Sequence, residues 1–254
     1  MARSVTSTAI DGIPLVEPGD DVAAMILDAL AAQGIALHDG DIIVIAQKIV
    51  SKAENQYVSL DDVTPSAEAS KLAETIGKDP RHIEVVLRES SEVVRYRQNV
   101  MIVAHRLGFI MANAGIDESN IDHQEGGRLL LLPKDPDASC AAIKARLDEV
   151  SGANVGVIIN DSFGRPWRNG VVGVALGSAG LPSLQNMVGA RDLFGRELRI
   201  TEIAIADELA AAASLVMGQA NEGVPVVHIR GFRSDAPRNP ASTLIRPKHM
   251  DMFR

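Results

Sequence analysis

The chain has 254 residues and 46% hydrophobic content, enough for a real core in one large domain or two closely joined lobes. A net charge of −8 and a pI near 5.3 speak against a nucleic-acid coat or a binder of anionic membranes, yet leave room for local basic clusters that hold phosphate. The single cysteine, Cys140, excludes an intrachain disulfide and a cysteine-rich zinc site. Aromatic residues are so few that the core must be mostly Ala, Val, Ile and Leu. No charged leader followed by an apolar segment opens the sequence, and no apolar stretch is long enough to span a bilayer. A cytoplasmic protein is the expectation.

Along the chain, Pro18-Gly19-Asp20-Asp21 marks a turn whose aspartates can cap a helix. Val22, Met25, Ile26, Ala29 and Leu30 then recur at helical spacing, and Gly34 closes the segment. Residues 41–50 read as a strand and residues 66–76 as a helix. Residues 84–97 suit a half-exposed helix or a strand equally. A strand is expected over 106–114, a helix over 138–150 and a buried Val/Ile strand over 155–159. An Ala-rich helix is predicted over 204–217, with Gly218 just past its end, and a late strand over 224–229. The polar, proline-bearing stretch 234–254 reads as a tail that wraps or dangles, after a module covering 10–233. Strands and helices mix without strict alternation, which predicts an α+β fold of mixed sheets with packed helices.

Several familiar signatures are missing. The sequence has no P-loop, no Rossmann glycine turn and no nucleophile elbow. Gly170, Gly173, Gly177 and Gly180 are spaced for close backbone packing, with a backbone anion nest as the alternative. Cys140 reads as an inert packed thiol. His38, His82, His105, His123, His228 and His249 show no helical zinc spacing and read as surface or packing residues.

Polar islands remain. Asn160-Asp161-Ser162-Phe163-Gly164-Arg165-Pro166-Trp167-Arg168-Asn169-Gly170 follows directly on the buried strand. Asp161 and Ser162 offer oxygens suited to Mg²⁺ or Mn²⁺, and Arg165 and Arg168 could hold phosphate or carboxylate. A strand ending in a solvated turn is the plain alternative. Ile13, Pro14, Leu15 and Val16 form an apolar turn that by itself reads as core. Lys48 and Lys52 would share a face at the end of a strand, either solvated or gripping phosphate. Asp117 and Asn120 stand three apart in a loop that could equally be a capped turn. The glycine-bounded stretch after residue 217 could be a plain helix-to-strand connection.

Taken together in order, these islands resemble the coenzyme F-420-0:gamma-glutamyl ligase family. The residues that carry the resemblance are Gly12-Ile13-Pro14-Leu15-Val16 with Pro18-Gly19-Asp20-Asp21, Lys48-Ile49-Val50-Ser51-Lys52-Ala53-Glu54 and Ala114-Gly115-Ile116-Asp117-Glu118-Ser119-Asn120. They continue in Leu132-Pro133-Lys134-Asp135-Pro136-Asp137-Ala138-Ser139, in the island beginning at Asn160, and in Met217-Gly218-Gln219. The resemblance implies a GDP-forming enzyme that joins L-glutamate to F-420-0 by an amide bond. It needs GTP and Mg²⁺ or Mn²⁺, admits a monovalent cation, and works as a homodimer. It further implies GTP contacts at Ile13, Pro14, Leu15, Val16, Gln47, Lys52 and Asn120, and along Met217, Gly218, Gln219, Ala220, Asn221, Glu222, Gly223 and Val224. The implied metal ligands are Asp117, Asp161, Ser162 and Gln219. Gln47 stands where relatives commonly carry a hydroxyl residue, and Ser162 where many carry Thr. Arg165 and Arg168 are our own assignment to the anionic acceptor or the incoming glutamate. A metal-dependent phosphohydrolase and a non-catalytic GTP- or GDP-binding protein are the competing readings of the same residues.

Overall fold

Val- and Ile-rich runs form the strands and periodic Ala- and Leu-bearing stretches form the helices of an α+β fold. The computed structural model describes residues 4–121 and 127–253; His123 lies outside them. Strand β1 (Thr6–Ala9) precedes helix α1 (Val22–Ala32), which Asp21 caps by accepting from the Ala24 N–H at 3.0 Å. Strand β2 (Ile42–Ala46) runs straight into helix α2 (Gln47–Ala53). Next come β3 (Tyr57–Ser59), α3 (Ala67–Ile76), α4 (Pro80–Arg88), β4 (Ser90–Arg97), β5 (Val100–His105), β6 (Ile110–Ala112) and β7 (Arg128–Leu130). The chain continues through α5 (Pro136–Ser151), β8 (Gly156–Arg165), β9 (Arg168–Ala179), β10 (Leu184–Asn186), β11 (Glu202–Ala204), α6 (Ile205–Met217) and β12 (Val226–Arg230).

The central sheet has the order β1-β12-β2-β8-β9 and is antiparallel except for the parallel β2–β8 pair. Continuous apolar runs in β2 and β8 reflect burial on both faces. On one face Ile43, Ile45, Val157 and Ile159 pack with residues of α1 and α5. On the other, Ile42, Val44 and Ile158 pack with the Ala-rich side of α6. A separate cluster joins α3 and α4 to β5 through Ile76, Ile83, Val86, Met101 and Val103. No helix among the described residues is long and apolar enough to cross a membrane.

Two glycines of β9 explain how closely the layers approach. A Cβ on Gly173 would stand 2.1 Å from Ser214 Oγ and 2.5 Å from the Ala210 carbonyl oxygen, and one on Gly177 would meet the Pro136 backbone at 2.3 Å. Close packing is therefore the role of these two. Gly170 differs: it sits in open space with φ +84°. The fully buried Cys140, its thiol pKa pushed up by burial, is the inert packed group its neighbours suggested.

The structure departs from the sequence expectations at several points. Residues 41–50 are not one strand, because the backbone turns helical at Gln47 and buries Ile49 and Val50 from α2. Lys48 and Lys52 still share a face, through helical i, i+4 spacing rather than strand alternation. Residues 84–97 are both a helix and a strand, split at Glu89. The strand expected over 106–114 shrinks to β6, since Gly108, at φ +93°, closes a tight turn from β5. The apolar turn at 13–16 is not core as a whole: Val16 is buried, but Leu15 is 87% exposed. The polar crest after residue 159 is no loop; β8 runs on through it and returns as β9, forming a hairpin arm. The C-terminal stretch wraps. Asp137 accepts backbone N–H groups of Ala241 and Ser242, and Lys248 pairs with Glu92.

Candidate functional site

The site begins where β2 ends. Ala46, the last residue of β2, pairs with Asn160, so β8 carries Asp161 one residue past the edge of its parallel neighbour. Strand alternation then distributes the side chains. Asn160 faces α6, donating to Ser214 Oγ at 3.1 Å and to Met217 Sδ at 3.5 Å. Asp161 faces the opposite way, on the side of Ile159 and Phe163. Burial raises its pKa to about 7, and the negative charge of Asp117 adds to the shift.

Asp117 reaches this point from the loop after a 3₁₀ turn (Asn113–Gly115). Its main chain is held by a two-way bridge to Leu130, with N···O distances of 2.9 and 3.0 Å. Its carboxylate accepts from Gln47 Nε2 and pairs with Lys48 Nζ at 3.2 Å. Burial raises its pKa, and Lys48 and Gln47 work against that rise. The buried Gln47 is therefore turned onto Asp117 and Ser51. Lys52, one turn further along α2, is partly buried. Desolvation lowers its pKa, the charge of Glu17 raises it, and that of Lys48 lowers it.

The remaining expected residues gather around this pair unevenly. Asn120 donates to the Ala220 carbonyl at 3.1 Å, which ties the Asp117 loop to the loop after α6. In that second loop Gln219, Ala220, Asn221, Glu222 and Gly223 are exposed, while Met217 is buried and Val224 partly so. The Glu222 carboxylate folds back to accept the Ala220 N–H at 2.8 Å. Residues 13–16 lie before the turn whose Gly19 N–H bonds the Ala53 carbonyl at the end of α2. Ser162 follows Asp161 in regular pairing, so its hydroxyl leaves the opposite face of β8. Arg165 and Arg168 close the hairpin arm; Arg165 donates to the Gly170 carbonyl at 3.3 Å. They stand four and seven residues on from Asp161, with Arg165 about 13 Å away along the strand.

Two carboxylates near enough that the charge of one raises the pKa of the other, to about 7, form a donor set that suits a hard divalent cation. Among the described residues no third acidic, histidine or cysteine group joins them. That count matches Mg²⁺-type sites, where one or two carboxylates share the ion with waters and substrate phosphates. Sequence reasoning noted Lys48 but missed its ion pair with Asp117, a contact between distant positions for which the sequence carried no signal. It also missed Asn160 as the link to α6 and His82 as the partner of Glu118, for which sequence carried no signal.

An α+β frame with paired carboxylates and lysines at one end of its sheet is here the frame of a ligase. The F420-0:Gamma-glutamyl ligase family model matches residues 12–231, and the chain belongs to that family. The coenzyme F420:L-glutamate ligase of Methanothermobacter thermautotrophicus is 51% identical over 98% of this chain and 99% of its own length. Proteins of the same name from Methanopyrus kandleri and Methanocaldococcus jannaschii are 47% and 46% identical, over 96% and 95% of this chain and 97% and 94% of their own lengths.

Proposed function

We propose that this ligase joins L-glutamate to coenzyme F-420-0 by an amide bond, at the expense of GTP and with Mg²⁺ or Mn²⁺, as a step of coenzyme F-420 biosynthesis. The observation that carries the reading is end-to-end similarity to proteins named coenzyme F420:L-glutamate ligase, at up to 51% identity. The geometry around Asp117 and Asp161 supports it. A carboxylate does not acylate an amine at neutral pH without activation. Phosphoryl transfer from GTP to the acceptor carboxylate gives an acyl phosphate, from which the glutamate amine displaces phosphate.

In this scheme a divalent cation, when bound, neutralises phosphate charge. Asp117 and Asp161 would hold it; Ser162, whose hydroxyl leaves the opposite face of β8, and Gln219, exposed in the adjoining loop, would serve a second ion. Gln47 keeps the Asp117 carboxylate oriented. Lys48 and Lys52 present ammonium charges beside the phosphates, the kind of positioned electrostatic help phosphoryl transfer needs. Residues 13–16 and 217–224 border the same end of the sheet and would cradle the nucleotide. Arg165 and Arg168, out on the arm, would take the far anionic end of an extended substrate. A homodimer belongs to the proposal, supported by the segment between β10 and β11, where Leu193, Phe194 and Ile200 are almost fully exposed.

The deciding assay is phosphate release from GTP with and without F-420-0 and L-glutamate, followed by the mass of the product. Release that needs both co-substrates and a glutamylated product supports the ligase. Release without them favours a phosphohydrolase, and binding without release favours a non-catalytic role.

A further inference from the structure

Residues 117–120 reach three parts of the molecule. Asp117 meets Gln47 and Lys48 of α2, Ser119 accepts from Lys48 Nζ at 3.1 Å, and Asn120 donates to Ala220. Glu118 alone points away from the site, toward α4. There its Oε1 lies 2.6 Å from Nδ1 of His82. The two partners differ sharply in exposure: the His82 side chain is 5% exposed and that of Glu118 is 56% exposed.

His82 is a costly choice for a packing position. Its neighbours on α4, Ile83, Val85 and Val86, are apolar and buried. Its Nε2 is buried with no hydrogen-bond partner among the described residues. Burial lowers its pKa, as does the charge of Lys78, while Glu118 works against that; because the carboxylate can only accept, Nδ1 carries a proton and donates to Glu118. An apolar side chain would fill the space without an orphaned nitrogen. What it would not supply is a fixed donor for the residue next to Asp117.

We propose that His82 is a positioning residue that acts through Glu118 to hold the Asp117 carboxylate against Asp161. The inference rests on the divalent-cation reading of that pair. It makes α4, which contributes nothing directly to the site, the outer support of one ligand. Groups that orient metal ligands from behind typically matter 10- to 100-fold in metal affinity.

The test is Mn²⁺ binding, followed by the spin-resonance signal of the free ion, for the wild type, His82→Ala, His82→Asn, Glu118→Ala and the double variant His82→Ala/Glu118→Ala. Thermal midpoints are recorded alongside. We expect each alanine variant to bind Mn²⁺ about 10-fold more weakly. The double variant should be no worse than either single one, because both break one link. His82→Asn should restore affinity to within about threefold, since its amide nitrogen sits on Cγ as Nδ1 does. Additive losses, a change below about twofold, or an Asn variant no better than Ala would overturn the assignment. If His82→Ala does not fold, the exposed Glu118→Ala variant decides alone. A wild type that binds no Mn²⁺ sinks the cation reading itself and this inference with it, whereas a normal wild type with unaffected variants sinks only the role of His82.

Discussion

The two ends of the central sheet each hold an aspartate, Asp41 buried and Asp161 half-buried, and the sheet treats them oppositely. At the amino end of β2, Asp41 is fully satisfied: Arg230 grips it through two nitrogens at 2.9 and 2.6 Å, and His228 Nε2 stands 2.9 Å away. Burial alone would raise its pKa, yet Arg230 and His228 overcome burial and pull it to about 2. At the other end, Asp161 has burial and a second carboxylate against it and sits at about 7. One fold thus closes one end of its sheet with a compensated charge and leaves the other electrostatically unfinished. An unfinished pair invites a cation; a finished one holds β2 and β12 together.

The sharpest way to break this contrast is to remove each charge in turn. Asp161→Asn is expected to lower glutamate- and F-420-0-dependent phosphate release by about 1000-fold or more, on the order of 4 kcal/mol in the barrier, without lowering the thermal midpoint. Asp41→Asn should do the reverse. It leaves Arg230 and His228 without their partner and should cost about 3 kcal/mol of stability, with turnover at 20 °C (a temperature chosen to keep it folded) within about threefold of wild type. Calorimetry should see a drop of about 6–12 °C for a chain of this size. Equal loss of turnover in both variants would mean that the two ends are not functionally distinct.

A smaller effect comes from the ion. Mn²⁺ at about 100 times its dissociation constant should stabilise the wild type and Asp41→Asn by about 2.7 kcal/mol, and Asp161→Asn much less. A thermal-shift titration reads this directly, and equal protection of all three would place the ion elsewhere.

The pH dependence of the metal-free protein sharpens the comparison further, because the two groups have opposite signs. The folded-state pKa of Asp41 is depressed, so its contribution is present above about pH 4 and is lost as pH falls toward about 2, a change of about 2 kcal/mol. The folded-state pKa of Asp161 is raised, so its contribution is full below about pH 4 and is lost as pH rises through about 7. Denaturant unfolding of wild type and Asp161→Asn across that range should show the neutral-side loss in the wild type alone.

Much of this molecule was legible along the chain. The cap and periodicity of α1 and the Ala-rich run of α6 closed by Gly218 announced those helices, and the Val/Ile run before Asn160 announced β8. Motif order carried the family, and with it the proposal that Asp117 and Asp161 are metal ligands. The misreadings share a cause. Residues 42–46 are apolar and Ile49 and Val50 continue the apolar pattern, and a run buried at nearly every position has no period that separates strand from helix, so the switch at Gln47 was invisible. The arm from Asn160 to Gly170 looked like a loop because its residues are polar, but strand pairing with β9 supplies the backbone hydrogen bonds that a solvated turn would leave to water.

The sequence by itself determined the composition of the core, the positions of most helices and the family, since these depend on local pattern and on residue order. Only the tertiary structure decided which charges meet. Gln47 and Asp117 are 70 positions apart, Asp41 and Arg230 189 apart. Their opposite fates come from burial and from what faces them across the sheet. Desolvation and Coulomb interaction act over a few ångströms of space, and no spacing along the chain encodes that distance.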